Sequence, residues 1–77
     1  MKITVSLFAT LRRYAPGDDH VFDLPVAPGA TLQQVVQELG IPDALHRITL
    51  VNGRHGKPDQ VLADGDAVTL FPPITGG

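Results

Sequence analysis

The segment with the clearest capacity for chemistry is the last one, Phe71-Pro72-Pro73-Ile74-Thr75-Gly76-Gly77. Pro72 and Pro73 fix φ and remove two backbone donors, so a strand ending at Phe71 cannot continue its ladder through them. A proline pair favours the extended polyproline II direction. Gly76 and Gly77 then leave no Cβ beside the terminal carboxylate. Residues 72–77 form an arm that spans about 20 Å when extended, at ~3.3–3.6 Å per residue. Such an arm can thread a narrow channel and place its carboxylate beside another protein's catalytic groups. A free carboxylate is a poor electrophile, but adenylation turns it into a mixed anhydride with a good leaving group. A sulfur source can then convert it to a thiocarboxylate, a soft nucleophile. The expected reactive group is therefore the carboxylate of Gly77, with Gly76 giving it clearance. Pro72, Pro73, Ile74 and Thr75 position it.

Other residues offer weaker chemistry. His20, His46 and His55 are scattered without metal-ligand spacing, and Asp18-Asp19-His20 reads as a solvated turn, so no metal site is expected. Asp64 and Asp66 flank Gly65 as turn formers, which disfavours paired-carboxylate catalysis. Gly53 and Gly56 precede no helix and so make no phosphate loop. Ser6 lies mid-strand without a matching His or Asp, which disfavours a hydrolase triad. Cysteine is absent, which excludes disulfides, thiolate nucleophiles and cysteine-ligated metal. No bound cofactor is expected.

The elements that must carry the arm are legible as periodicity. Lys2 to Phe8 alternate, with Ile3, Val5 and Leu7 on one face and Phe8 on the other. Residues 15–19 read as a turn, and 20–26 as a second strand with Val21 or Phe22, Leu24 and Val26 as core candidates. Thr31 and Gln34 make a capping-box pair. Leu32, Val35, Val36 and Leu39 form one helix face. Gly40 and Pro42 stop that helix. Residues 47–52 read as a third strand, followed by the Asn52-Gly53 turn and a weak strand near 54–57. Residues 66–71 alternate again, with Val68 and Leu70 inward. This ββαβ(β)β order predicts an α+β domain over residues 1–71, a mixed four- to five-stranded sheet covered by one main helix, with a flexible tail at 72–77. A β-grasp (ubiquitin-like) fold ranks first; a ferredoxin-like half or an open roll also fits the order.

Composition sets outer bounds. With 77 residues, 43% hydrophobic and 18% charged, the chain predicts one small ordered domain. A net charge of −2 with no charge runs disfavours nucleic acid as a partner. No apolar stretch approaches the ~20 residues that span a bilayer, so no membrane role is expected. Met1 to Val5 already open a strand pattern, so no signal peptide is expected, and a cytoplasmic location is.

The terminal Phe71-Pro72-Pro73-Ile74-Thr75-Gly76-Gly77 resembles the end of the small subunit of molybdopterin synthase, the MoaD family within the MoaD/ThiS sulfur carriers. Leu62-Ala63-Asp64-Gly65-Asp66-Ala67-Val68 is similar to that family's turn before its last strand. Leu7-Phe8-Ala9-Thr10-Leu11-Arg12 and Val51-Asn52 match it less specifically. The resemblance implies a non-enzymatic carrier. An E1-like enzyme would use ATP to adenylate Gly77, a sulfur-donating enzyme would supply sulfur, and a large synthase subunit would hold the catalytic groups. Alternatives are a carrier for thiamine or amino-acid biosynthesis, a ubiquitin-like modifier, and a plain interaction module. In a β-grasp the first and last strands are parallel neighbours, which would set Phe8 and Phe71 on the face away from the core, beside the root of the arm. Val51 is expected on the same docking face, with Arg12 pairing with an acidic partner residue.

Overall fold

Alternation of apolar and polar residues in Lys2–Leu7 produces β1, whose Ile3, Val5 and Leu7 are buried. The computed structural model describes residues 1–73 apart from Asp43 and His46. β1 pairs antiparallel with β2 (Val21–Pro25), with Val5 opposite Phe22 and Ile3 opposite Leu24. Opposed residues of an antiparallel pair share a face. Phe22 and Leu24 therefore turn toward the core, whereas Val21 stays exposed.

The helix α1 (Leu32–Glu38) begins where the capping box predicts. The Thr31 hydroxyl accepts from the Gln34 N–H, and the Gln34 side chain accepts from the Thr31 N–H. A helix start leaves further N–H groups without an internal partner. Here Leu32 N–H donates to the Gln60 carbonyl and Gln33 N–H to the Pro58 carbonyl, each at 2.9 Å. Gly40 closes the helix with φ +80°, a left-handed conformation that glycine adopts without strain. Leu32, Val35 and Val36 are buried in the core.

β3 (Ile48–Val51) turns through Asn52-Gly53 into β4 (Arg54–His55). β5 (Ala67–Phe71) runs parallel to β1 and antiparallel to β3. The sheet order is β2-β1-β5-β3-β4, so the strand that delivers the tail is central. The core joins Ile3, Val5, Leu7, Val51, Val68 and Leu70 of the sheet with the buried helix face, and Leu11, Ile41 and Leu62 close its borders.

Two elements differ from the sequence expectation. Ala9–Tyr14 forms a 3-10 helix that drives Leu11 into the core. Its apolar pattern is too short to show a period. The weak strand near 54–57 shortens to Arg54–His55, because Gly56 is pressed against the core: a Cβ there would lie 2.6 Å from Leu32 Cδ2. Among the described residues no helix is long and apolar enough to cross a membrane.

Candidate functional site

Register sets the surface around the root of the arm. Leu7 pairs with Leu70, so Phe8 and Phe71 follow at neighbouring positions, and the Phe8 N–H donates to the Leu70 carbonyl at 3.1 Å. Phe8 is 43% exposed and Phe71 half-buried, both on the face away from the core. Pro72 and Pro73 continue from Phe71 and are half-buried. Ile74, Thr75, Gly76 and Gly77 lie outside the described residues.

Val51 does not join this face. It pairs with Val68 and is only 4% exposed, a core residue. The run Ile48-Thr49-Leu50-Val51 has apolar residues at both parities, so alternation alone does not say which set turns inward. The pairing resolves it. Ile48 opposes Phe71 and Leu50 opposes Thr69, which puts Ile48 and Leu50 on the outer face, half-buried. These are the residues that sequence reasoning missed, and the signal that finds them is the register with β5.

Arg12 is exposed at the rim of the same face, and His20 stands beside it. The His20 ring meets Phe8 edge-on, with centroids 5.6 Å apart and planes at 61°. Arg12 Nη2 lies 3.4 Å from His20 Nδ1. A guanidinium can only donate, so this contact requires an unprotonated Nδ1. The sequence marks His20 only as a turn residue; its place is beside the aromatic group and the cation.

The far end of β5 is held by carboxylates. Asp66 Oδ2 accepts from the Ala63 N–H at 2.8 Å and Oδ1 from Asn52 Nδ2 at 3.0 Å. Asn52 Oδ1 accepts from the Ala67 N–H at 2.9 Å, and Asp64 Oδ1 accepts from the Lys2 N–H at 2.8 Å. The Ala63 amide, then the Asn52 side chain, hold the Asp66 carboxyl below its ordinary value, since both stabilise the ionised form. These bonds fix where β5 starts between β1 and β3, and so where its other end releases the arm. Among the described residues, no group of His, Asp or Glu has metal-binding geometry.

A mixed five-stranded sheet with one α-helix, a central parallel β1–β5 pair and a tail leaving the last strand define a ubiquitin-like β-grasp protein. The chain belongs to the ThiS family, whose model matches residues 5–77, and is thus a small protein of the ThiS/MoaD sulfur-carrier type. Among solved structures it is similar to SAMP1 from Haloferax volcanii, at 26% identity and a TM-score of 0.79 over 100% of both chains. It is also similar to a putative molybdopterin converting factor subunit 1 from Pyrococcus furiosus, at 25% identity and a TM-score of 0.78, covering 95% of this chain and 98% of that one. Subunit 1 in a complex with subunit 2 of the Helicobacter pylori molybdopterin-converting factor shares the fold, at 23% identity and a TM-score of 0.64 over 100% of each chain. No curated protein matches the chain.

Proposed function

We propose that this protein is the sulfur-carrying small subunit of a molybdopterin synthase, with Gly77 as its reactive end. The observation that carries the proposal is the Phe71-Pro72-Pro73 exit from a central core strand into a Gly-Gly terminus that lies within the family match. The Pyrococcus furiosus neighbour supports this pathway among those that sulfur carriers serve. The Helicobacter pylori complex supports, by analogy of fold, a large partner subunit. An E1-like enzyme joins the Gly77 carboxylate to the adenylyl group of ATP with release of pyrophosphate. A sulfur donor then displaces AMP and leaves a thiocarboxylate. The large subunit receives the arm and supplies the acid, base and substrate-binding groups, so the carrier is not itself an enzyme. Phe8, Phe71, Ile48 and Leu50 give that subunit an apolar face to close on, and Arg12 gives it a cation at the rim.

A second use of the same end is favoured by the likeness to a small archaeal modifier protein. Activation is shared, but a target lysine amine rather than sulfur would then displace AMP. Intact mass spectrometry of protein from its native host separates the two. An oxygen-to-sulfur exchange at Gly77 under demand for molybdenum cofactor is the expected result. Unmodified carboxylate alone, together with Gly-Gly remnants on lysines of other proteins, would assign the modifier role instead.

A further inference from the structure

A groove of about 460 Å³ opens between α1 and the β3–β4 edge, away from the Phe8 side of the molecule. Its apolar walls come from Leu32 and Val36 of α1, Leu45 and Pro58; Arg47 and His55 stand at its sides. Leu45 is 38% exposed, a large apolar side chain that the fold leaves partly uncovered. Cations outnumber carboxylates beside the groove: Arg47 is in its wall and Arg54 and Lys57 are next to lining residues in the chain, against Asp59 next to Pro58. Residues 47–58 contain Arg47, Arg54 and Lys57, half of the chain's 6 Lys and Arg, together with His55 and no Asp or Glu. Among the described residues the ion pair is Lys2–Asp23, on the opposite side of the sheet, so these cations meet no carboxylate there. Arg47 donates through Nη1 to the Pro42 and Leu45 carbonyls, which leaves the rest of its guanidinium fork free of described partners. β4 ends the sheet and has no strand on its outer side, so its edge can pair with extended backbone. Ile48 and Thr49 of β3 complete its floor, and Phe71 and the prolines after it are not among its lining residues.

We infer that this groove docks an extended acidic segment of a partner protein, one that alternates carboxylates with large apolar side chains. Apolar side chains of the segment fill the space between α1 and Leu45, and its carboxylates meet Arg47, Arg54 and Lys57. A net charge of −2 on the chain as a whole makes this local excess of cations selective. Occupancy of the groove is independent of what becomes of Gly77, because no atom of the arm takes part.

The test uses the full chain and a capped hexapeptide that alternates aspartate with leucine, followed by backbone NMR shifts. Saturable shifts are expected at Leu32, Val36, Leu45, His55 and Gly56, and they should weaken several-fold at about 1 M salt, where screening is strong. The exposed changes Arg54→Glu plus Lys57→Glu should weaken binding about tenfold or more. Leu45→Glu should do the same by a separate route, with the melting temperature of each variant near that of the parent. Equal binding of an asparagine–leucine peptide, shifts confined to Phe8 and Phe71, or no shifts at millimolar peptide would overturn the inference. Decanoate filling the groove more tightly than the peptide would also overturn it, by making the groove a small-molecule site.

Discussion

Phe8 and Val51 show how position decides what an apolar side chain does. Both sit at strand ends among apolar neighbours, yet one is 43% exposed and the other 4%. β1 stops at Leu7 and Ala9 takes φ +52°, so Phe8 is the last residue to follow the sheet and its ring is left outside. Phe8→Ser should therefore change stability by no more than about 0.5 kcal/mol, yet weaken binding to a reconstituted partner subunit about tenfold or more, as loss of an aromatic anchor does. Val51→Ala should do the reverse, costing about 1–3 kcal/mol of stability. Paired thermal melts and binding isotherms check both. Asp66 makes a different residue-scale argument. Its carboxyl is held below the value of 3.8 that it has when unfolded, so its contribution is fully present above that pH and is lost as pH falls through the lower, folded value. A profile of melting temperature against pH should show a steeper acid limb in the parent than in Asp66→Asn below about pH 4.

At the scale of elements, legibility followed local chemistry. The helix start was plain because Thr31 and Gln34 are neighbours in sequence and their reciprocal bonds are local. Its end was equally plain at Gly40. The inward set of β1 and β5 was plain because their alternation is strict. In β3 apolar residues occupy both faces, and only the long-range pairing with β5 placed Val51 inward and Ile48 and Leu50 outward. The 3-10 helix at Ala9–Tyr14 carries a single buried residue, Leu11, which is too little to make a pattern. Gly56 is legible as a glycine but not as a packing glycine, since its reason lies in Leu32, far away in sequence, and in Val51 across the β3–β4 turn. Gly56→Ala should cost about 1–3 kcal/mol, the usual effect of forcing a methyl group into a filled core. In a domain of this size that corresponds to a fall in melting temperature of at least about 4–8 °C. A Gly53 substitution would act differently, through φ +82° rather than through contact.

At the scale of the whole molecule, the construction separates stability from reactivity. The buried residues lie on β1, β3, β5, α1 and the segments that border them, whereas the proposed reactive carboxylate lies beyond Pro72 and Pro73. The absence of cysteine fits a carrier that holds sulfur on its main-chain terminus, because no thiol of its own competes for the activated carbonyl. The asymmetry of the sheet has the same logic. The carboxylate bonds of Asp64 and Asp66 fix one end of β5, and the other end leads through Phe71 into Pro72 and Pro73, where the proposed function seats a partner. If Gly77 is the acceptor of the adenylyl group, chain length is as critical as composition. Removing Gly77 moves the carboxylate by one residue, about 3.5 Å at full extension, and adding a residue moves it as far the other way. Proximity effects fall steeply over even 1 Å, so either change should lower thiocarboxylate formation by at least about 100-fold. Neither change replaces a residue of the buried core, so the melting temperature should stay that of the parent. Mass spectrometry of the product after incubation with activating enzyme, ATP and a sulfur donor measures the first effect, and a thermal melt the second. Thiocarboxylate formed at the parental rate by either variant would place the reactive group elsewhere than at the end of the arm.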